Sequence, residues 1–142
     1  MRIGVIAATA SIWAATMASA QTAPESNEAT IRRIIGKVDI AAAALFTANR
    51  ATLEQTCGEK DKSFHISSGI SRFEFAALHK PEREQYVGWM QGQVQSNTAM
   101  YEAMSERERK HFCIGIRQAI AEYSVGFMER YPQLFDKRAD AP

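Results

Sequence analysis

From residue 31 onward, apolar side chains recur three and four positions apart: Ile31, Ile34, Ile35, Val38, Ala41, Ala42, Leu45 and Phe46. That interval puts them on one face of a helix, with Arg32, Arg33, Lys37 and Asp39 mostly off it. Leu53 and Cys57 extend the face. The spacing therefore predicts one long first helix over about 27–56, the alternative being a restart at Thr52-x-x-Gln55 after a break near Asn49. Gly58 supplies a helix stop. The next stretch, 58–71 (GEKDKSFHISSGIS), is polar and rich in Ser and Gly. It reads as a long connection, with Phe64, Ile66 and Ile70 to anchor it on a core. Such connections are often binding loops, and equally often plain bridges across a bundle.

Ser71-x-x-Glu74 has the form of a capping box, opening a short helix with Phe73, Ala76, Ala77 and Leu78 on its buried side and an end near His79. Pro81 suits the first turn of another helix. From there Tyr86, Trp89, Met90, Gln93, Val94, Thr98 and Tyr101 keep helical spacing to about Met104. Ser105-x-x-Glu108 is a second capping box, followed by Phe112, Cys113, Ile116, Ile120, Tyr123, Phe127 and Met128 up to Tyr131. Leu134 and Phe135 form a short apolar cap beyond Pro132. The pattern predicts an all-α fold, a small bundle of three to five helices whose short connections make neighbours antiparallel.

The first twenty residues follow another logic. Met1-Arg2 is a short positive start, residues 3–17 carry no charge, and Ala18-Ser19-Ala20 gives the small-x-small step that signal peptidase accepts. The expectation is a signal peptide over 1–20, cleaved near Ala20, a linker over 21–27, a helical domain over 28–136 and a frayed tail over 137–142. The alternative is an uncleaved membrane anchor, since the apolar run approaches the roughly 18 residues that could span a bilayer. Export implies the periplasm or secretion.

Charge narrows the partners. Residues 1–20 contain Arg2 and no acid, so 16 of the 17 Lys+Arg remain against 16 Asp+Glu. A surface that tracks phosphates or anionic lipid needs a basic excess, so nucleic acid is disfavoured. No later segment is apolar and long enough to span a membrane. The 2 cysteines, Cys57 and Cys113, lie 56 positions apart. In an oxidising compartment such an even pair forms a disulfide.

Catalytic and metal constellations are sparse. Neither Cys has a second Cys two or three residues away, which excludes CxxC redox and CxxCH haem sites. His65, His79 and His111 show no paired ligand spacing. Met100 and Met104 share a helix face, and thioethers near a His could hold copper(I), although Met at helical spacing is usually core. Ser67-Ser68-Gly69 lacks the G-x-S-x-G turn, and no phosphate-binding glycine loop occurs. The residues name no catalytic group, no metal and no cofactor. Gly88 and Gly92, one turn apart, each cost about 1 kcal/mol against Ala inside a helix. Close approach to the Ala41–Ala44 run offsets that cost on one reading, and a partner's backbone does on the other.

These observations point to another protein as the partner, bound through Phe64, His65, Ile66, Trp89 and Tyr101, since large aromatics anchor protein interfaces. A helix face left apolar after the bundle forms could also pair two copies of the chain. The leader, the first-helix Cys, the segment Tyr86-Val87-Gly88-Trp89-Met90-Gln91-Gly92, the later Cys and the run into Glu129-Arg130-Tyr131-Pro132 resemble the Rap1a/Tai group of small periplasmic helical immunity proteins, over about residues 50–140. That resemblance implies an inhibitor or immunity protein acting on a secreted effector or wall hydrolase. More distantly, the size, export and single bridge resemble the HdeA-like acid-stress chaperones, which implies a periplasmic stress chaperone as the alternative. A small enzyme or metal-binding protein is the third reading.

Overall fold

The computed structural model describes residues 26–59 and 64–136. The expected leader, most of the expected linker and the expected tail lie outside them. Among the described residues five helices follow in order: α1 (Asn27–Ile35), α2 (Ile40–Gln55), α3 (Phe64–Ala77), α4 (Lys80–Ala103) and α5 (Glu106–Arg130), then a 3₁₀ turn at Pro132–Leu134. Among the described residues no strand forms, and the fold is the expected all-α bundle.

The long first helix is two helices. Gly36 adopts φ 66°, a left-handed conformation that admits Gly without strain, and its N–H bonds to Arg32 O at 2.8 Å. Asp39 then restarts the chain, its Oδ1 accepting from Ala42 N at 3.1 Å. Apolar spacing continues across this break because both helices bury a face in the same core, so periodicity alone could not show it. No break occurs near Asn49.

The long connection over 58–71 is also corrected, because α3 is already helical from Phe64. Ser71 and Glu74 do not cap anything. Ser71 Oγ meets Thr47 Oγ1 at 2.8 Å and accepts from Arg50 at 3.0 Å, while Ser67 Oγ accepts from Arg50 Nε at 3.0 Å. These serines lie mid-helix because α2 satisfies their hydroxyls. The later elements match expectation. Ser105 and Glu108 form the reciprocal box, at 2.7 and 3.3 Å. Phe135 folds back so that its ring meets Phe73 and Phe127 edge-on, at 5.7 and 6.1 Å.

Helix α2 runs through the middle. Between Ala42 and Leu53 only Leu45 is exposed. Its most extensive packing is against α4, then against α5, while α1 lies mainly on α3. Thr47 meets Tyr86 and Thr52 meets Asn97, so α2 and α4 run in the same direction. Phe46 stacks on Tyr123 at 4.4 Å and Cys57 is bonded to Cys113, so α5 runs the opposite way. Consecutive helices α4 and α5 approach one another little beyond their two-residue turn, and α2 occupies the space between them.

The expected disulfide joins the end of α2 to the second turn of α5, across 56 residues. Closing a loop of that length contributes about 4 kcal/mol on the chain-entropy account. The oxidised wild type is therefore expected to exceed the Cys57→Ala/Cys113→Ala variant in unfolding free energy by about that much in urea titration. A difference below ~1 kcal/mol would show that the bridge adds nothing to the packed helices.

Candidate functional site

Helix α4 has two unlike sides. His79 N donates to Glu82 Oε1 at 2.9 Å, and Pro81 sits in the first turn, which sets the start of the helix. One side carries Tyr86, Met90, Val94 and Asn97 into the bundle, all buried or half-buried. The amide of Asn97 is fully used: Nδ2 donates to Thr52 Oγ1 at 3.1 Å and to Asn49 Oδ1 at 3.5 Å, and Oδ1 accepts from Gln93 at 2.8 Å. Thr52 in turn donates to Ala48 O at 2.9 Å. Tyr86 OH reaches Thr47 Oγ1 at 2.5 Å. Burial pushes the Tyr86 phenol above its ordinary pKa and the half-buried Arg50 guanidinium below its own. These polar links fix how α2, α3 and α4 meet.

The other side faces solvent, and it carries no charge. From Gln85 to Tyr101 the sequence has no Asp, Glu, Lys, Arg or His. Gly88, Trp89, Gln91, Gly92, Gln95, Ser96, Ala99 and Met100 are all exposed along it. Trp89 is 47 % exposed, Met100 44 %. At its base Trp89 joins Lys37, Val38, Asp39, Ile40 and Ala41 around an open cleft of about 490 Å³. Leu45, 46 % exposed, stands one turn beyond Ala41 on the same face of α2. Solvated helix faces normally carry a quarter or more charged residues, and α5 does so with Glu106, Arg107, Lys110, Arg117, Glu122 and Glu129 all exposed.

Two expectations are corrected here. Gly88 and Gly92 do not pack against the Ala41–Ala44 run. A side-chain carbon added at either would meet nothing within 4 Å. Ala43 and Ala44 do lie in the core, but α4 turns its Tyr86–Asn97 side to them. Nor do the expected partner-binding residues form one surface. Tyr101 lies 12 residues after Trp89, about 18 Å along the helix and a third of a turn round it. It belongs to the disulfide end, half-buried, under the Arg109 guanidinium at 4.8 Å and beside Cys57 and Cys113 in a cleft of about 530 Å³. Arg109 also donates to Tyr101 O and Glu102 O, at 3.0 and 3.1 Å, so its role is to hold the α4–α5 turn. His65 and Ile66 are exposed at the start of α3, and the Phe64 side chain lies outside the described part of the chain.

Leu45 and Met100 were missed as surface residues; the unbroken run of uncharged positions from Gln85 to Tyr101 was the signal that could have found Met100, whereas Leu45 keeps the spacing of the buried face. Among the described residues no three His, Cys, Asp or Glu side chains gather as metal ligands. His111 instead approaches Arg107 O at 2.9 Å.

Fold and site together define a disulfide-closed, all-α bundle with one charge-free helix face. Compared with protein-family models, with curated proteins and with solved structures, the chain matches none.

Since neither glycine is needed for packing, Gly88→Ala and Gly92→Ala should each raise stability by ~0.5–1 kcal/mol through helix propensity. Urea or thermal unfolding of the purified variants reads this directly, and a loss of stability would reinstate the packing role.

Proposed function

We propose that this chain is a non-enzymatic binding protein, exported to the periplasm or beyond, that engages another protein through the outer face of α4. The observation that carries the reading is the exposed Trp89 on a solvent-facing helix side with no charge over seventeen residues. Protein interfaces are depleted in charge at their centre and enriched in Trp, Tyr and Met. Gly88 and Gly92 bare the α4 backbone beside that Trp, so a partner's chain can approach closely. Gln91 and Gln95 offer both donors and acceptors to it. The α4 side itself holds no carboxylate, imidazole, ammonium or guanidinium, and Lys37 and Asp39 border it only at the cleft beside Trp89, which favours binding over catalysis.

The resemblance to the Rap1a/Tai group supports the narrower reading of an inhibitor or immunity protein for a secreted effector or wall hydrolase. Leu45 and the Val38–Ala41 segment extend the contact beyond one helix, as an inhibitor's footprint requires. Trp89 is the anchor, seated at the edge of its cleft so that a partner can cover it from one side.

The test is capture from periplasmic extract with three baits: wild type, Trp89→Glu and Gly92→Arg. Both variants should fold with wild-type helicity, because neither side chain enters the core. A partner held by wild type and weakened at least thirtyfold by Trp89→Glu, the ~2 kcal/mol expected of a central aromatic anchor, supports the reading. A partner retained equally by all three baits would place the binding surface elsewhere.

A further inference from the structure

Glu74 stands in the middle of α3 with 4 % of its surface exposed. Its Oε2 accepts from Tyr123 OH at 2.5 Å, while Oε1 is buried with no hydrogen-bond partner among the described residues. Tyr123 is itself fixed by stacking on Phe46 at 4.4 Å, so the carboxyl group is pinned where α3 meets α5 over α2. The charged and titratable groups that act on it come from three neighbours. α5 supplies Tyr123 and Arg130, the start of α2 supplies Asp39, and α4 supplies Tyr86, whose phenol the same carboxylate pushes up. No charged side chain of α1 is among those groups.

We propose that the buried Glu74 carboxyl is a proton-operated lock between α3 and α5, closed while it keeps its proton and loosened when it becomes a carboxylate whose burial the Tyr123 hydrogen bond does not offset. A neutral carboxyl with one unused polar atom is a modest cost in a core. A carboxylate there has one donor, one bare oxygen and, among the described residues, no cation in ion-pair contact, Arg130 acting on it only without such a contact, and burying it so is far more costly. Burial raises the Glu74 pKa from 4.5 to about 7, and Asp39 acts in the same direction. The Tyr123 hydrogen bond and Arg130 oppose it without prevailing.

The sign follows. A carboxyl whose pKa is higher in the folded chain than in the unfolded one stabilises the fold fully below the unfolded value. That contribution is lost as pH climbs through the folded value. Between pH 5 and 8 the folding equilibrium constant should therefore fall, by on the order of a hundredfold for a shift of this size. The loosening concentrates in α3, whose release uncovers Ile70, Ala77 and Leu78. Neutral to acid conditions close the lock, the reverse of a device that exposes apolar surface in acid. This inference does not rest on the α4 face.

Two measurements test it. In the first, the ¹³C carboxyl shift of Glu74 is followed by NMR from pH 4 to 9 in the wild type. A midpoint near 7 is expected, and one below 5 would overturn the lock whatever the variants do. In the second, urea unfolding and amide hydrogen exchange are compared for wild type and Glu74→Gln, a neutral side chain of the same shape. The wild type should lose stability between pH 5 and 8, with exchange of residues 64–77 accelerating beyond the intrinsic pH effect. Glu74→Gln should show neither change. A variant that keeps the wild-type slope would also overturn it. Tyr123→Phe, which removes the donor favouring the carboxylate, should move the wild-type transition to higher pH.

Discussion

The close packing of α2 against α4 and α5 is the constraint on which the rest of the molecule depends. A helix can be enclosed by its neighbours only if its side chains leave room for them, and α2 opens with Ala41–Ala44 and continues with Ala48 and Ala51. Alanine gives up no rotamer freedom and is the best helix former, so the local cost of this arrangement is small. The return is also small, because a methyl buries little area. Larger residues at its edges make up the difference. Phe46 stacks on Tyr123, Leu53 enters the core, and Thr47, Arg50 and Thr52 tie the helix by hydrogen bonds to α3 and α4. The disulfide then closes the end at which the alanines have run out.

That arrangement decides what is left for function. Because α2 fills the space between α4 and α5, α4 needs only one of its sides for the bundle. The opposite side is free of packing duties, yet it has not taken on the charges that keep α5 solvated. A helix side without charge and, among the described residues, without a covering neighbour weakens solubility and contributes nothing to the fold, and the proposed binding role is what would account for it. The glycines belong to the same argument. They weaken α4 in a place where alanine would fit, a cost that the proposed close-approaching partner would offset. The core holds one further anomaly, the buried Glu74, and its protonation strengthens the fold as pH falls. That direction fits a binding protein meant to remain folded, and it opposes acid-triggered exposure.

Much of the fold was legible in the residues. Ser105 and Glu108 marked the start of α5, Pro81 the start of α4, Tyr131-Pro132 the end of α5, and Cys57 and Cys113 their bond. What failed did so for physical reasons. Ile31 to Phe46 keep helical spacing through Gly36 because α1 and α2 share a core, so only the Gly36–Asp39 pair carried the break. Ser67 to Ser71 looked like loop residues, and the preference of Ser67 and Ser71 for turns is overridden by hydrogen bonds with Arg50 and Thr47 that no local rule contains. Glu74 looked like a capping residue and is a core residue. At the candidate site the exposure of Trp89 was legible, whereas its separation from Tyr101 and His65 was not, because that depends on which side α4 turns inward. The missing charges from Gln85 to Tyr101 were visible throughout, and a count of charges by helix face would have found them.

Native-state hydrogen exchange measures the central claim most directly, by ranking the helices according to the free energy needed to open each. If α2 is the enclosed centre, amides of residues 43–53 should exchange only through global unfolding and be the slowest in the molecule. Those of α1 should exchange through smaller, local openings. Faster exchange in α2 than in α4 and α5 would contradict the account, since the central helix would then be a late and dispensable addition to the other two.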